Sequence, residues 1–238
     1  VPHPESAHSA SFRSASPHPA PTQANSPVTT HAAPVEAFDL VIFGGTGDLA
    51  LRKLLPALFH RYADGQIPAG SRVIGVARDA LSDVEYRGRV RPAIEKDAGW
   101  SAESKLAADE FVGLVGYRAL DATRAEGWAD LAALLGSTGD RVRVFYLATG
   151  PDLFAGICGK LKEHGLNRGR VRVVIEKPIG KDARSAAAIN DAVGQAFDEV
   201  GRPERARPVE RSGLDARDEL FELLVGPGPR QRAAPHVI

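Results

Sequence analysis

The 238-residue chain is 43% hydrophobic and carries 30 basic against 30 acidic residues. That composition supports one sizeable core and sets up no global field favouring nucleic acid or an anionic membrane. A single cysteine excludes an intrachain disulfide and fits a reducing cytoplasm; Cys158, in a helix-like apolar pattern, reads as a small buried hydrophobe. No run of 18 apolar residues predicts a membrane helix, and Val1-Pro2-His3-Pro4 lacks the apolar stretch of a signal peptide. The chain holds no methionine, position 1 included, which reads as a fragment, a processed form or a non-standard start.

Residues 1–36 hold seven Pro, seven Ala, six Ser and four His. That arm lacks the apolar content to offset ordering entropy and reads as disordered. Its histidines are irregularly spaced, so no metal site is expected there. From 37 to 199 apolar strands alternate with amphipathic helices. Strands are expected at 38–43, 72–77, 111–117, 142–148 and 171–176. Helices are expected at 48–63, 82–97, 101–108, 124–135, 152–164 and 182–197. Pro56 should kink the first helix, and Asp182 with Ser185 can cap the last. The alternation predicts an α/β fold, a Rossmann-like doubly wound parallel sheet. Residues 200–238 carry seven Arg and five Pro without periodicity and read as an irregular tail. Neutral overall and without aromatic interleaving, the chain is not expected to bind nucleic acid.

The chemistry-bearing feature is Gly44-Gly45-Thr46-Gly47-Asp48-Leu49-Ala50, between an apolar strand ending at Phe43 and a helix opening at Leu51. Strand, glycine turn and helix form the geometry that takes a dinucleotide pyrophosphate, with the helix N-terminus supplying unpaired N–H groups and positive potential. Gly44 and Gly47 leave room for the turn and the phosphates; Ala50 lets the helix sit close to the sheet. The spacing is G-x-x-G-x-x-A, a variant of the usual fingerprint.

Strand 72–77 leads into Arg78. An arginine there suits a ribose 2′-phosphate and points to NADP, whereas an acidic residue would favour NAD. Lys53 lies further along the first helix, a position open to the site mouth or simply to solvent. Lys177, in Glu176-Lys177-Pro178, ends a central strand, where open α/β sheets place ligands; Pro178 keeps it out of the αR region. Asp121, after Leu120, either faces the cofactor or caps the helix expected at 124.

These residues resemble bacterial glucose-6-phosphate dehydrogenase. The likeness is carried by Val41-Ile42-Phe43 with the glycine turn, and by Arg52-Lys53-Leu54-Leu55-Pro56-Ala57-Leu58. Arg72 through Arg78, Val144-Phe145-Tyr146-Leu147-Ala148 and Arg172 through Gly180 continue it, as do Ser185-Ala186 and Ile189-Asn190-Asp191. The resemblance implies NADP held by Gly44, Gly45, Thr46, Gly47, Asp48, Leu49, Ala50 and Leu51, by Arg78, by Leu120 and Asp121, and by Lys177. It also implies that Lys53 and Lys177 lie near the reacting sugar. In the family, hydride leaves C1 of glucose 6-phosphate for the nicotinamide, giving a lactone, and a histidine removes the hydroxyl proton.

The match stops after about residue 199. The family's sugar-phosphate motif, R-I-D-H-Y-L-G-K, has no counterpart in Val200-Gly201-Arg202-Pro203 and onward. Leu220-Phe221-Glu222 and His236-Val237-Ile238 faintly resemble a later family segment, a pattern that suggests an altered reading frame across 200–217. The chain is therefore expected to bind NADP without turning over glucose 6-phosphate, and to form homo-oligomers only with a second domain. A non-catalytic NADP-binding remnant and an enzyme of the glucose–fructose oxidoreductase type are the rival readings.

Overall fold

The computed structural model describes residues 36–96, 102–136, 141–175 and 179–197. Five strands form one parallel sheet: β1 (Phe38–Phe43), β2 (Arg72–Ala77), β3 (Val115–Ala119), β4 (Val142–Leu147) and β5 (Val171–Ile175), in the order β3-β2-β1-β4-β5. The chain winds outward from β1 to β3, then crosses back to place β4 on the other side of β1. All the strands are parallel, so their carboxyl ends share one edge. The reversal between β1 and β4 is the switch point at which such sheets bind ligands.

Six α-helices cover the sheet: α1 (Leu55–Ala63), α2 (Asp83–Glu95), α3 (Ala102–Leu114), α4 (Trp128–Gly136), α5 (Phe154–Glu163) and α6 (Ala183–Phe197). Alternation along β1 separates two cores. Leu40 and Ile42 pack with Leu55, Leu58 and Phe59 of α1, with Tyr86 and Val90 of α2, and with Phe111 of α3. Val41 and Phe43 pack with Trp128 and Leu131 of α4, Ile157 and Leu161 of α5, and Ile189 of α6. Three helices on each face are what right-handed crossovers produce when strand order reverses at β1.

Three local expectations are corrected. The strand expected at 111–117 begins at Val115, because Phe111 is still helical and buries its ring edge-on against Phe59, 5.8 Å between centroids. The helix expected at 124 begins at Trp128. Gly127, with φ of +85°, interrupts the chain before it, and Asp121 instead closes a turn onto Thr123. Pro56 does not interrupt the helical run that opens at Asp48. It sits in the first turn of α1, after a π-helical turn (Ala50–Leu54) in which the Leu55 amide donates back to the Ala50 carbonyl. The wider turn accommodates the N–H that proline lacks. The expected cap of α6 is present: the Ser185 amide donates to the Asp182 carboxylate at 2.7 Å, and that bond holds the carboxyl below its usual range.

One buried charge interrupts the apolar reading of β1. Asp39 is fully buried and receives two bonds from the Arg72 guanidinium, at 2.7 and 2.8 Å, with Arg141 at 3.5 Å. This cluster lies at the amino end of the sheet, opposite the switch point, and ties β1 to β2. Removing one partner of a buried pair typically costs about 3–5 kcal/mol. Arg72 keeps some water access, so Asp39→Ala should lower unfolding stability by about 3 kcal/mol, read as a shift in the urea midpoint.

Burial also sets the alkaline limit. It pushes Cys158 up to about 12 from its ordinary 9, pushes Tyr117 to about 12 with the Asp79 charge adding, and carries Tyr86 higher still. Groups whose folded pKa is raised contribute stability that is complete below the unfolded value and lost as pH climbs toward the folded one. The urea midpoint should therefore fall from about pH 9 upward. Native Cys158 should also resist a thiol reagent at pH 8 and react on unfolding.

Candidate functional site

At the carboxyl end of β1 the chain turns in very little space. Gly44 has a φ of +82°, a conformation that side chains disfavour, and a Cβ there would overlap the Ala148 carbonyl oxygen at the end of β4. A Cβ on Gly45 would stand 2.7 Å from the Cα of Gly75 in β2. The amides of Gly44 and Gly45 both donate to the Val76 carbonyl, at 2.8 and 3.0 Å. The Gly47 amide closes the turn on the Gly44 carbonyl at 2.8 Å, and the Leu51 amide, bonded to the Gly47 carbonyl at 3.0 Å, starts the helix.

These bonds change which groups of the turn can meet a ligand. The first two glycine amides are occupied inside the protein. The helix opens at Asp48 and Leu49, whose amides fall among the donors a helix cannot satisfy for itself. A phosphate at this turn would therefore meet the helix start. Leu49 and Leu51 pack against the core and Ala50 is fully buried, so these three can offer a ligand only backbone. Asp48 is exposed and pairs with Arg52 at 3.2 Å, and both side chains are about three-quarters exposed, so the pair adds little stability.

The other nominated residues gather on the same sheet edge. Arg78 follows β2 and is exposed, with no hydrogen bond or ion pair among the described residues; its neighbour Asp79 is drawn off by Arg89 at 3.7 Å. Leu120 follows β3, and its amide donates to the Ala77 carbonyl at 2.8 Å while its side chain enters the core beside Trp128. Asp121 accepts from the Thr123 hydroxyl and amide at 2.7 and 2.9 Å. Those bonds hold its carboxyl below the usual range, and the positive charges of Arg124 and Arg78 add to the effect. Asp121 thus closes a turn and caps no helix, and it stands within the field of Arg78. Lys53 is exposed on the π-helical turn. Lys177, with Glu176 and Pro178, lies outside the described residues, as do the arm 1–35 and the tail 198–238.

Sequence reasoning missed four supports of this edge. Gly75, in the middle of β2, leaves room for the Tyr86 ring, since a Cβ there would come 2.6 Å from a ring carbon. Tyr86 and Tyr117 both reach the backbone of the edge through their hydroxyls. Thr149, packed beside Gly44, keeps a buried hydroxyl oxygen with no partner among the described residues. Only Gly75 left a signal in the sequence: a glycine inside a strand marks a close approach. The described residues contain no group of three or more His, Cys, Asp and Glu side chains placed to hold a metal ion. Nor do they contain a helix long and apolar enough to cross a membrane.

Comparison with known proteins places the chain. Residues 41–201 match the family model described as glucose-6-phosphate dehydrogenase, NAD binding domain. The glucose-6-phosphate 1-dehydrogenase of Rhizobium meliloti is 43% identical over 172 residues, which cover 72% of this chain and 35% of that one. The enzyme of the same name from Mycolicibacterium smegmatis is 44% identical over 171 residues, 70% of this chain and 34% of that one. Among solved structures, a glucose-6-phosphate dehydrogenase in complex with its substrate glucose 6-phosphate superposes with a TM-score of 0.63 at 33% identity, over 71% of this chain and 36% of that one. The chain spans about a third of the length of the relatives it matches.

Substitutions at two glycines should separate folding from binding. Gly44→Ala, strained in φ and blocked by Ala148, should lower stability by about 1–3 kcal/mol. A Cβ on Gly47 meets only the Gly44 carbonyl oxygen, at 3.0 Å. Gly47→Val should therefore keep the circular dichroism of the α/β fold and lose affinity for NAD and NADP alike.

Proposed function

The chain belongs to the glucose-6-phosphate dehydrogenase family through that family's NAD binding domain, and from this premise we propose that residues 37–199 hold NADP at the carboxyl edge of the sheet. The observation that carries the proposal is the glycine turn at the β1/β4 switch point with Arg78 exposed one strand away. The residues fit the group. The turn has no side chain at Gly44, Gly45 or Gly47, the helix start offers amides to a pyrophosphate, and the Thr149 hydroxyl beside it has no partner among the described residues.

In this reading each part of the chain has its own task. Asp48 and Leu49 present backbone amides, and the helix dipole favours the negative phosphates. Arg78 takes the ribose 2′-phosphate through charge-assisted bonds. Asp121, kept ionised by Thr123 and by the nearby positive charges, and the Leu120 carbonyl line the flank beside Arg78. Lys177 and Lys53 are assigned to the sugar side of the nicotinamide. When bound, the dinucleotide would supply a nicotinamide ring able to accept a hydride. The chain's contribution is to bind and orient that ring. Residues 37–199 are assigned the cofactor half of the site, in a cytoplasmic setting that suits the single buried thiol.

Titration tests this directly. A charge-assisted bond contributes about 1.5–3 kcal/mol, and the exposure of Arg78 puts it at the lower end, about tenfold in affinity. Arg78→Ala should weaken NADP about tenfold and leave NAD nearly unchanged; equal losses for both would contradict the assignment. NADPH formation at 340 nm, with saturating NADP and millimolar glucose 6-phosphate, should stay far below the ordinary enzyme range of about 1–1000 per second.

A further inference from the structure

Behind the glycine turn two tyrosines meet. Tyr86, on α2, is fully buried, and its hydroxyl donates to the Gly45 carbonyl at 2.8 Å. Its ring lies 4.8 Å from that of Tyr117 on β3. The Tyr117 hydroxyl donates to the carbonyls of Ala77 and Asp79, at 3.0 and 2.8 Å, sharing one proton between them. One tyrosine thus grips the turn, and the other grips both residues that flank Arg78. Burial raises the pKa of each.

Packing alone does not require these hydroxyls. A phenylalanine would fill the same volume, and the helix has other anchors. The Asp83 carboxylate accepts from the Tyr117 amide at 2.6 Å, and α2 opens with a reciprocal cap between Ser82 and Glu85. The frame of α2 on β3 therefore stands without either hydroxyl. What the hydroxyls add is a fixed offset between two stretches of backbone at the binding edge.

We propose that Tyr86 and Tyr117 form a paired positioning device that sets the glycine turn against the Arg78 segment, and so fixes the span between the pyrophosphate and 2′-phosphate ends of the site. This rests on the reading that Arg78 takes the 2′-phosphate of NADP. The two residues have separable effects. Tyr86 acts on the turn, which NAD and NADP share. Tyr117 acts on the segment that only the 2′-phosphate uses, so it is a specificity determinant that never touches the ligand.

The test uses the full chain with Tyr86→Phe, Tyr117→Phe and Arg78→Ala, titrated with NADP and with NAD by calorimetry, alongside thermal melts. Tyr117→Phe should raise the Kd for NADP about three- to tenfold, the range one hydrogen bond converts to, and leave NAD within about twofold. Tyr86→Phe should weaken both dinucleotides by a similar factor. An unchanged NADP-to-NAD ratio in Tyr117→Phe, with Arg78→Ala still selective, overturns the device and leaves the NADP assignment standing. Lower melting temperatures with unchanged Kd values also overturn it, since that is what core filling alone gives. An equal loss of affinity for both cofactors in Arg78→Ala removes the NADP assignment itself, and the device with it.

Discussion

No side chain fits at three neighbouring positions of the sheet's carboxyl edge, and the site follows from that. Gly44 faces the end of β4, Gly45 faces Gly75 in β2, and Gly75 faces the Tyr86 ring. The turn is wedged between β2 and β4, and α2 backs it through Tyr86. Its first two amides are spent on Val76, which fixes the turn's height over the sheet. The helix that follows must then start at Asp48, with its unsatisfied donors at the switch point. The groups proposed to face the dinucleotide are thereby placed by steric exclusion and by backbone bonds, with little help from side-chain contacts.

The two ends of the sheet divide the work. At the amino end, Asp39 and Arg72 form a buried, bidentate pair that ties β1 to β2. At the carboxyl end, Arg78 is exposed, while Asp79 pairs with Arg89 and the flanking carbonyls accept from Tyr117. A cation held ready in this way, beside a carboxylate that it helps to keep ionised, suits a ligand carrying an extra phosphate. The single thiol, by contrast, is buried and carries no chemistry at neutral pH.

Much of this was legible in the sequence, for definite reasons. Strands β1, β2, β4 and β5 were readable because parallel strands covered on both faces form continuous apolar runs. The glycine turn was readable because its spacing follows from the ligand geometry. The start of β3 was not, because Phe111 and Val112 are as suited to a strand as to the last turn of α3, and only the contact with Phe59 decides. The π-helical turn before Pro56 was not foreseen; the sequence suggested only a kink at the proline. Asp39 gave no signal in the sequence, since its partners lie 33 and 102 residues away. The tyrosine supports were illegible for the same reason: Tyr86 meets Gly45 across 41 residues, and no local pattern reports such a contact.

Amide hydrogen exchange with and without NADP measures the central claim most directly. The Gly44 and Gly45 amides, already bonded to Val76, should show little change. New protection should appear at Asp48 and Leu49, and with NADP but not NAD around Arg78. Protection confined to other edges of the sheet, or identical at Arg78 for both dinucleotides, would contradict the placement of the cofactor at this turn.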